Sequence, residues 1–175
     1  MKVAFAGKAG SGKTTAANIL VQELGYRRVS LAAPLKSVVS QLWPDLSPEK
    51  RRPYLQSVGD GLRAVDPYVF IRYLLRDVGD STKIAVDDVR YPNEVRSLRK
   101  AGFLLIYLDV PDAERLIRME KRGDVIDARS LQHRSETSLS PTSGDLSVFP
   151  NTASIKDLKR RLLRIFAPMD YQHKE

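Results

Sequence analysis

An α/β fold, built on a five-stranded parallel sheet flanked by helices, is what this 175-residue chain predicts, on three observations. Short apolar runs alternate with segments of helical periodicity along the chain. The run Phe103-Leu104-Leu105-Ile106-Tyr107-Leu108 lacks polar alternation, which marks a strand covered on both faces. A glycine-rich turn, Gly7-Lys8-Ala9-Gly10-Ser11-Gly12-Lys13-Thr14, joins an apolar run directly to a helical one.

Residues 2–6 read as the first strand and 13–24 as the first helix, which Gly25 stops. Arg28-Val29-Ser30-Leu31 is the second strand. Pro34 opens a helix whose Leu35, Val38, Val39, Leu42 and Trp43 share one face. Ser47-Pro48 starts a helix to Leu62, and Asp66-Pro67 launches another to Val78. Residues 83–87 form the third strand, 93–101 a helix ended by Gly102, and 103–108 the fourth strand. Asp112 caps a helix to Arg122. Residues 123–145, rich in Ser, Arg, Gly and Asp, read as a mobile, partly helical flap. A short fifth strand, 147–150, and a basic helix, 154–166, complete the order.

The length suits one domain, residues 1–175, with one well-buried core. No run approaches the ~18 apolar residues of a membrane span. The absence of cysteine excludes disulfides and thiolate metal sites and fits a cytoplasmic setting. The net charge of +8 admits a nucleic-acid surface or a pocket for several phosphates. No helix-turn-helix, zinc site or aromatic RNA-binding motif supports the former, and Lys156, Lys159, Arg160, Arg161 and Arg164 read as a solvated helix face.

Gly7 to Thr14 matches G-x-x-x-x-G-K-[ST], with a strand before and a helix after. Its glycines let successive N–H groups turn inward onto a phosphate, and the helix N-terminus adds positive potential there. Ala9, Gly10, Ser11, Gly12, Lys13, Thr14 and Thr15 are the candidate nucleotide-binding residues. Lys13 would reach the β- and γ-phosphates, and the Thr14 hydroxyl a Mg²⁺. Ligands of parallel sheets sit beyond the strands' carboxyl ends, so later strand ends supply the second site. Asp87, Asp88 and Arg90 follow the third strand, either as turn residues or as holders of metal-bound water and an acceptor phosphate. Lys36, Gln56, Arg63 and Asp66 lie in the helical stretch before it. Arg118, Arg122, Arg129 and Arg134 sit in or beside the flap, where an arginine closing over a transferring phosphoryl group would stabilise its charge. A lone His133 reads first as structural.

The order of Gly7–Thr14, Ala33-Pro34-Leu35-Lys36, Leu55-Gln56-x-x-Gly59 with Arg63, Asp88-Val89-Arg90-Tyr91-Pro92-Asn93-Glu94 and His133-x-Ser135-Glu136 resembles the bacteriophage-type deoxynucleoside monophosphate kinases, over residues 2–165. The resemblance implies a P-loop kinase with a helical substrate-binding insertion (34–78) and a LID (112–145). It implies ATP- and Mg²⁺-dependent phosphorylation of a deoxynucleoside 5′-monophosphate, a small-molecule partner rather than a nucleic acid or membrane. Lys36, Arg63 and Arg90 would then face the acceptor phosphate, Gln56 the nucleoside, and Asp88 the metal and acceptor. Arg118 and Arg122 would be LID arginines, and Arg129, His133 and Glu136 would add substrate contacts. Ala33 departs from the acidic or glycine residue often found there. Animal-type phosphomevalonate kinase and dephospho-coenzyme A kinase are the neighbouring readings. A guanine-reading Asn-Lys-x-Asp segment is missing, which argues against a GTPase switch. Monomer and homodimer stay open.

Overall fold

The computed structural model describes residues 1–47, 50–124, 128–143 and 146–167. In chain order its elements are β1 (Lys2–Ala6), α1 (Lys13–Leu24), β2 (Arg27–Val29), α2 (Ala33–Leu42), α3 (Arg51–Val65), α4 (Val69–Val78), β3 (Ile84–Val89), α5 (Pro92–Lys100), β4 (Phe103–Asp109), α6 (Asp112–Lys121), α7 (Ala128–Gln132), α8 (Arg134–Thr137), β5 (Ser147–Pro150) and α9 (Ile155–Phe166). The strands form one sheet in the order β2-β3-β1-β4-β5, with each neighbouring pair parallel.

Side-chain alternation divides the core into two layers. Val3 and Phe5 of β1 pack with Ala16, Ile19 and Leu20 of α1 and with Leu158, Leu162 and Phe166 of α9. Ala4 and Ala6, pointing the other way, pack with Leu35 and Val39 of α2, Ile71 and Leu74 of α4, and Val95 and Leu98 of α5. The unbroken apolar run of β4 follows: Phe103, Leu105 and Tyr107 face the second layer, Ile106 and Leu108 the first. Hydrophobic residues four apart on α9 turn inward, while three of its cations have partners within the chain. Lys159 pairs with Glu23 at 2.8 Å, Arg160 with Asp157, and Arg161 donates to Pro150 O at 2.7 Å. Among the described residues, no helix is long and apolar enough to cross a membrane.

Several boundaries differ from the sequence expectation for physical reasons. The second strand, expected over 28–31, ends at Val29. Asp88 draws the next residues out of the ladder, accepting hydrogen bonds from Ser30 Oγ (2.6 Å), Leu31 N (2.8 Å) and Ala32 N (2.9 Å). The helix expected from Asp66-Pro67 begins at Val69, because Asp66 Oδ1 first accepts the Tyr68 N–H at 2.9 Å in a local turn. α3 begins at Arg51, and Pro48 of the expected start lies outside the described residues. The expected flap carries α7 and α8, while 125–127 and 144–145 lie outside the described residues. Its described part is folded down: Ser130, Glu136 and Leu139 are all buried, Leu139 in the core beneath the sheet's carboxyl edge.

Candidate active site

β1 sits between β3 and β4, so the loop leaving β1 and the chain leaving β3 emerge side by side; Ala6 is in register with Val89. That edge is where the strand order reverses and where parallel sheets open a crevice. A cleft of about 360 Å³ occupies it.

The loop of residues 7–12 forms one wall. Gly10 (φ 81°) and Gly12 (φ 93°) adopt left-handed backbone, and a Cβ on Gly10 would lie 2.5 Å from Arg115 O. A Cβ on Gly12 would lie 2.7 Å from Asn151 Nδ2, which donates to Ser11 O at 2.9 Å. The loop is therefore clamped between α6 and the end of β5. Lys13 is buried, with Nζ donating to Gly7 O (2.6 Å) and Lys8 O (2.8 Å). Burial, and then the nearby Arg90 charge, hold its pKa well below the usual lysine value, against the pull of Glu136, Asp88 and Asp87.

β3 supplies the second wall, and its alternation separates two adjacent carboxylates. Asp87 turns toward α1 and accepts from Thr14 Oγ1 at 2.9 Å. Asp88 turns the opposite way and holds the 30–32 turn. Burial pushes the Asp87 pKa up, the neighbouring Asp88 charge adds to this, and Thr14, Arg28 and Lys36 only partly oppose it. Asp87 is thus a buried oxygen ligand short of positive charge. Among the described residues, no group of three His, Cys, Asp or Glu could cage a metal. One threonine hydroxyl beside one carboxylate suits Mg²⁺, which keeps most of its waters and takes phosphate oxygens. Of the two aspartates, Asp87 rather than Asp88 meets Thr14.

The third wall comes from the helical stretch and α8. Arg63 lies 4.3 Å from the Tyr91 ring centroid and 4.5 Å from that of Phe70, with Glu94 at 3.4 Å. Glu94 also accepts the N–H groups of Arg90 (2.9 Å) and Tyr91 (3.1 Å), fixing the start of α5. Burial raises the Glu94 pKa despite these donors. Gln56 donates to Ser130 O at 3.0 Å, joining α3 to α7. His133 joins α3 to α8 through Asp60 at 2.9 Å and meets Ser135 Oγ at 3.0 Å. Glu136 binds Ala9 N (2.8 Å), Arg52 (2.9 Å) and Arg90 (2.6 Å).

The structure gathers Ala9, Gly10, Gly12, Lys13, Thr14, Thr15, Lys36, Gln56, Arg63, Asp88, Arg90, Arg122, His133 and Glu136 around this cleft. Ser11 is buried within the loop. Arg118 stands outside: it pairs with Glu114 and donates to Asn151 O at 2.7 Å, behind the loop. Arg129 is exposed and absent from the lining, and Arg134 binds Asp60 at 3.2 Å. Sequence reading missed Arg52 and Asn151. Arg52 sits in a cationic helix start with no motif. Asn151 follows the last strand, and only its place at the same sheet edge could have flagged it. Lys13, Lys36, Arg52, Arg63, Arg90 and Arg122 face four lining carboxylates among the described residues, so the cleft favours anions.

Comparison with known proteins agrees with this layout. Residues 3–136 match the AAA domain family. An Ictalurid herpesvirus 1 protein ("Uncharacterized protein ORF77") is 27% identical over 143 residues, covering 78% of this chain and 58% of that protein. The Acanthamoeba polyphaga mimivirus "Putative deoxynucleotide monophosphate kinase" is 28% identical over 142 residues, covering 62% of this chain and 74% of that one. This chain therefore spans just over half of the herpesvirus relative. Among solved structures, a sugar kinase from Janibacter sp. HTCC2649 superposes with TM-score 0.55 at 25% identity, covering 93% and 92% of the two chains. Deoxyadenosine kinase from M. mycoides with bound dATP gives 0.60 at 15% identity, covering 96% and 100%. A Sinorhizobium meliloti gluconokinase gives 0.60 at 17%, covering 98% and 97%. With its glycine loop, its sheet order and a matched span reaching from β1 to Glu136, the chain belongs to the AAA domain family and has the α/β fold of P-loop kinases.

Proposed function

We propose that this chain transfers the γ-phosphoryl group of ATP, with Mg²⁺, to a deoxynucleoside 5′-monophosphate. One observation carries the reading: the glycine loop with Lys13 is faced, across the cleft, by Lys36 of α2, Arg63 of α3 and Arg90 after β3. Such an arrangement has room for a second phosphorylated molecule in line with the first. The name of the mimivirus relative points the same way. Gluconate and sugar acceptors, suggested by two fold neighbours, react through a neutral hydroxyl and would leave that second set of cations without a purpose.

In the proposed reaction an acceptor phosphate oxygen attacks the γ-phosphorus, the bond to the β-bridging oxygen breaks, and ADP leaves with that oxygen's electron pair. The attacking oxygen is ionised at neutral pH, so no strong base is needed. The chain's contribution is positioning and charge neutralisation. The loop amides and Lys13 hold the donor phosphates. Arg90 and Arg63 hold the acceptor phosphate, and Lys36 lies at its rim. Thr14 and Asp87 would hold Mg²⁺, which would supply charge neutralisation at the donor phosphates. Gln56 and Tyr91 line the acceptor side.

The test is coupled ADP release with each of the four deoxynucleoside monophosphates, phosphomevalonate, dephospho-coenzyme A, deoxyadenosine and gluconate. Turnover with one or more of the monophosphates, and not with the others, is expected. Turnover confined to a non-nucleotide acceptor, or DNA-stimulated hydrolysis with no acceptor requirement, would overturn the assignment.

A further inference from the structure

Glu136 lines the cleft, has no task in the proposed transfer, and is buried against the phosphate loop itself. Its Oε2 accepts the Ala9 N–H at 2.8 Å, while Oε1 meets Arg90 at 2.6 Å and Arg52 at 2.9 Å. These partners come from the donor loop, from the end of β3 and from α3. A phosphoryl group lying between donor and acceptor would call on the same three. A carboxylate and a terminal phosphoryl group both present anionic oxygens to such donors, and they cannot use one N–H and one guanidinium fork together.

Resting on the kinase reading, we infer that Glu136 occupies the γ-phosphoryl position of the unliganded cleft, so that nucleotide must displace it together with α8. Burial alone would raise the Glu136 pKa, yet Arg90, Lys13, the Ala9 N–H and Arg52 hold it below the usual value, so it stays an anion in the closed cleft. α8 is a short element suited to such movement. It is held over the cleft by Glu136, by His133 on Asp60 and by Arg134 on Asp60, which are polar contacts that water can replace. Leu139 in the core is the anchor about which it would turn. Displacement frees Arg52 and Arg90 at the moment the triphosphate arrives. In place, Glu136 keeps those cations paired, and Lys13 balanced, when no nucleotide is present.

The distinguishing feature is selectivity for the third phosphate. ADP has no group at the Glu136 position, and ATP does. Glu136→Gln is nearly isosteric and removes the competing charge. Isothermal titration calorimetry on the full chain, with Mg²⁺ in excess, should show ATP binding tightened about tenfold or more, the worth of a charge-assisted hydrogen bond, and ADP binding changed by less than about threefold. Should Glu136→Gln fail to fold, Glu136→Asp withdraws the carboxylate from Ala9 while keeping its charge, and takes the same direction with a smaller ratio. ATP binding that is unchanged or weakened, with ADP still bound, overturns the inference alone and makes Glu136 a support for Arg52 and Arg90. If the wild-type chain binds neither nucleotide, the proposed function falls and this inference with it.

Discussion

Lys13 is bonded to the carbonyls of its own loop, so its removal should cost little in the fold and much in chemistry. Lys13→Ala is expected to lower turnover at least about a hundredfold, as loss of one transition-state donor does, with the melting temperature nearly unchanged. Near-normal turnover would end the assignment. Asp87 behaves oppositely in stability. Burial and the neighbouring Asp88 both disfavour its charged form and push its pKa up. Asp87→Asn keeps an acceptor for Thr14 Oγ1 and discards the charge. It should raise the melting temperature by a few degrees, where about 1 kcal/mol is worth roughly 2–4 °C at this size, while weakening Mg²⁺-dependent turnover. A lower melting temperature would show that the charge is compensated in the folded chain. The two aspartates are adjacent in sequence and both polar, so spacing could nominate the pair and could not choose between them.

At the scale of elements, the phosphate loop depends on neighbours far away in the chain. α6 approaches through Arg115, leaving no space for a methyl group at Gly10, and Asn151 after β5 does the same at Gly12. Gly10→Ala combines that clash with a positive φ, and should destabilise the fold by about 1–3 kcal/mol and weaken ATP binding, read by thermal melts and calorimetry. Asn151→Ala should do less to the fold but leave Ser11 O without its donor, raising the KM for ATP with a smaller change in kcat. An unchanged KM would mean that the loop holds its shape without this brace. β1, the loop and α1 were legible because strand, turn and helix are local patterns. The end of β2 was not, because three donors turn it toward Asp88, some 57 residues later in the chain.

For the molecule as a whole, the carboxylates that are raised and those that are lowered set different acid limits. Asp87 and Glu94 have folded-state pKa values above their unfolded ones. Their contribution to stability is therefore present below the unfolded values and is lost as pH rises through the raised ones. Asp112 is lowered to about 2 by hydrogen bonds from Arg115 and Lys8, and Glu136 is also lowered, so their contributions are lost only as pH falls through those depressed values. On acidification Asp87 and Glu94 take their protons before Asp112, whose ion pairs with Arg115 and Lys8 persist to lower pH. Mg²⁺-dependent turnover should then fall at a pH where circular dichroism and melting temperature are unchanged. Loss of activity and structure together at one pH would contradict this order.

Local periodicity by itself determined the α/β class, the glycine loop and the cations that share its sheet edge, since each of these is written within a few residues of itself. Only the tertiary structure decided which aspartate meets Thr14, that Arg118 stands behind the loop rather than over the cleft, and that Glu136 rests on an amide 127 residues earlier. Those outcomes depend on the register of β3 against β1 and on how α6 and α8 settle on the sheet, and a one-residue change of register reverses every side chain without altering the sequence pattern.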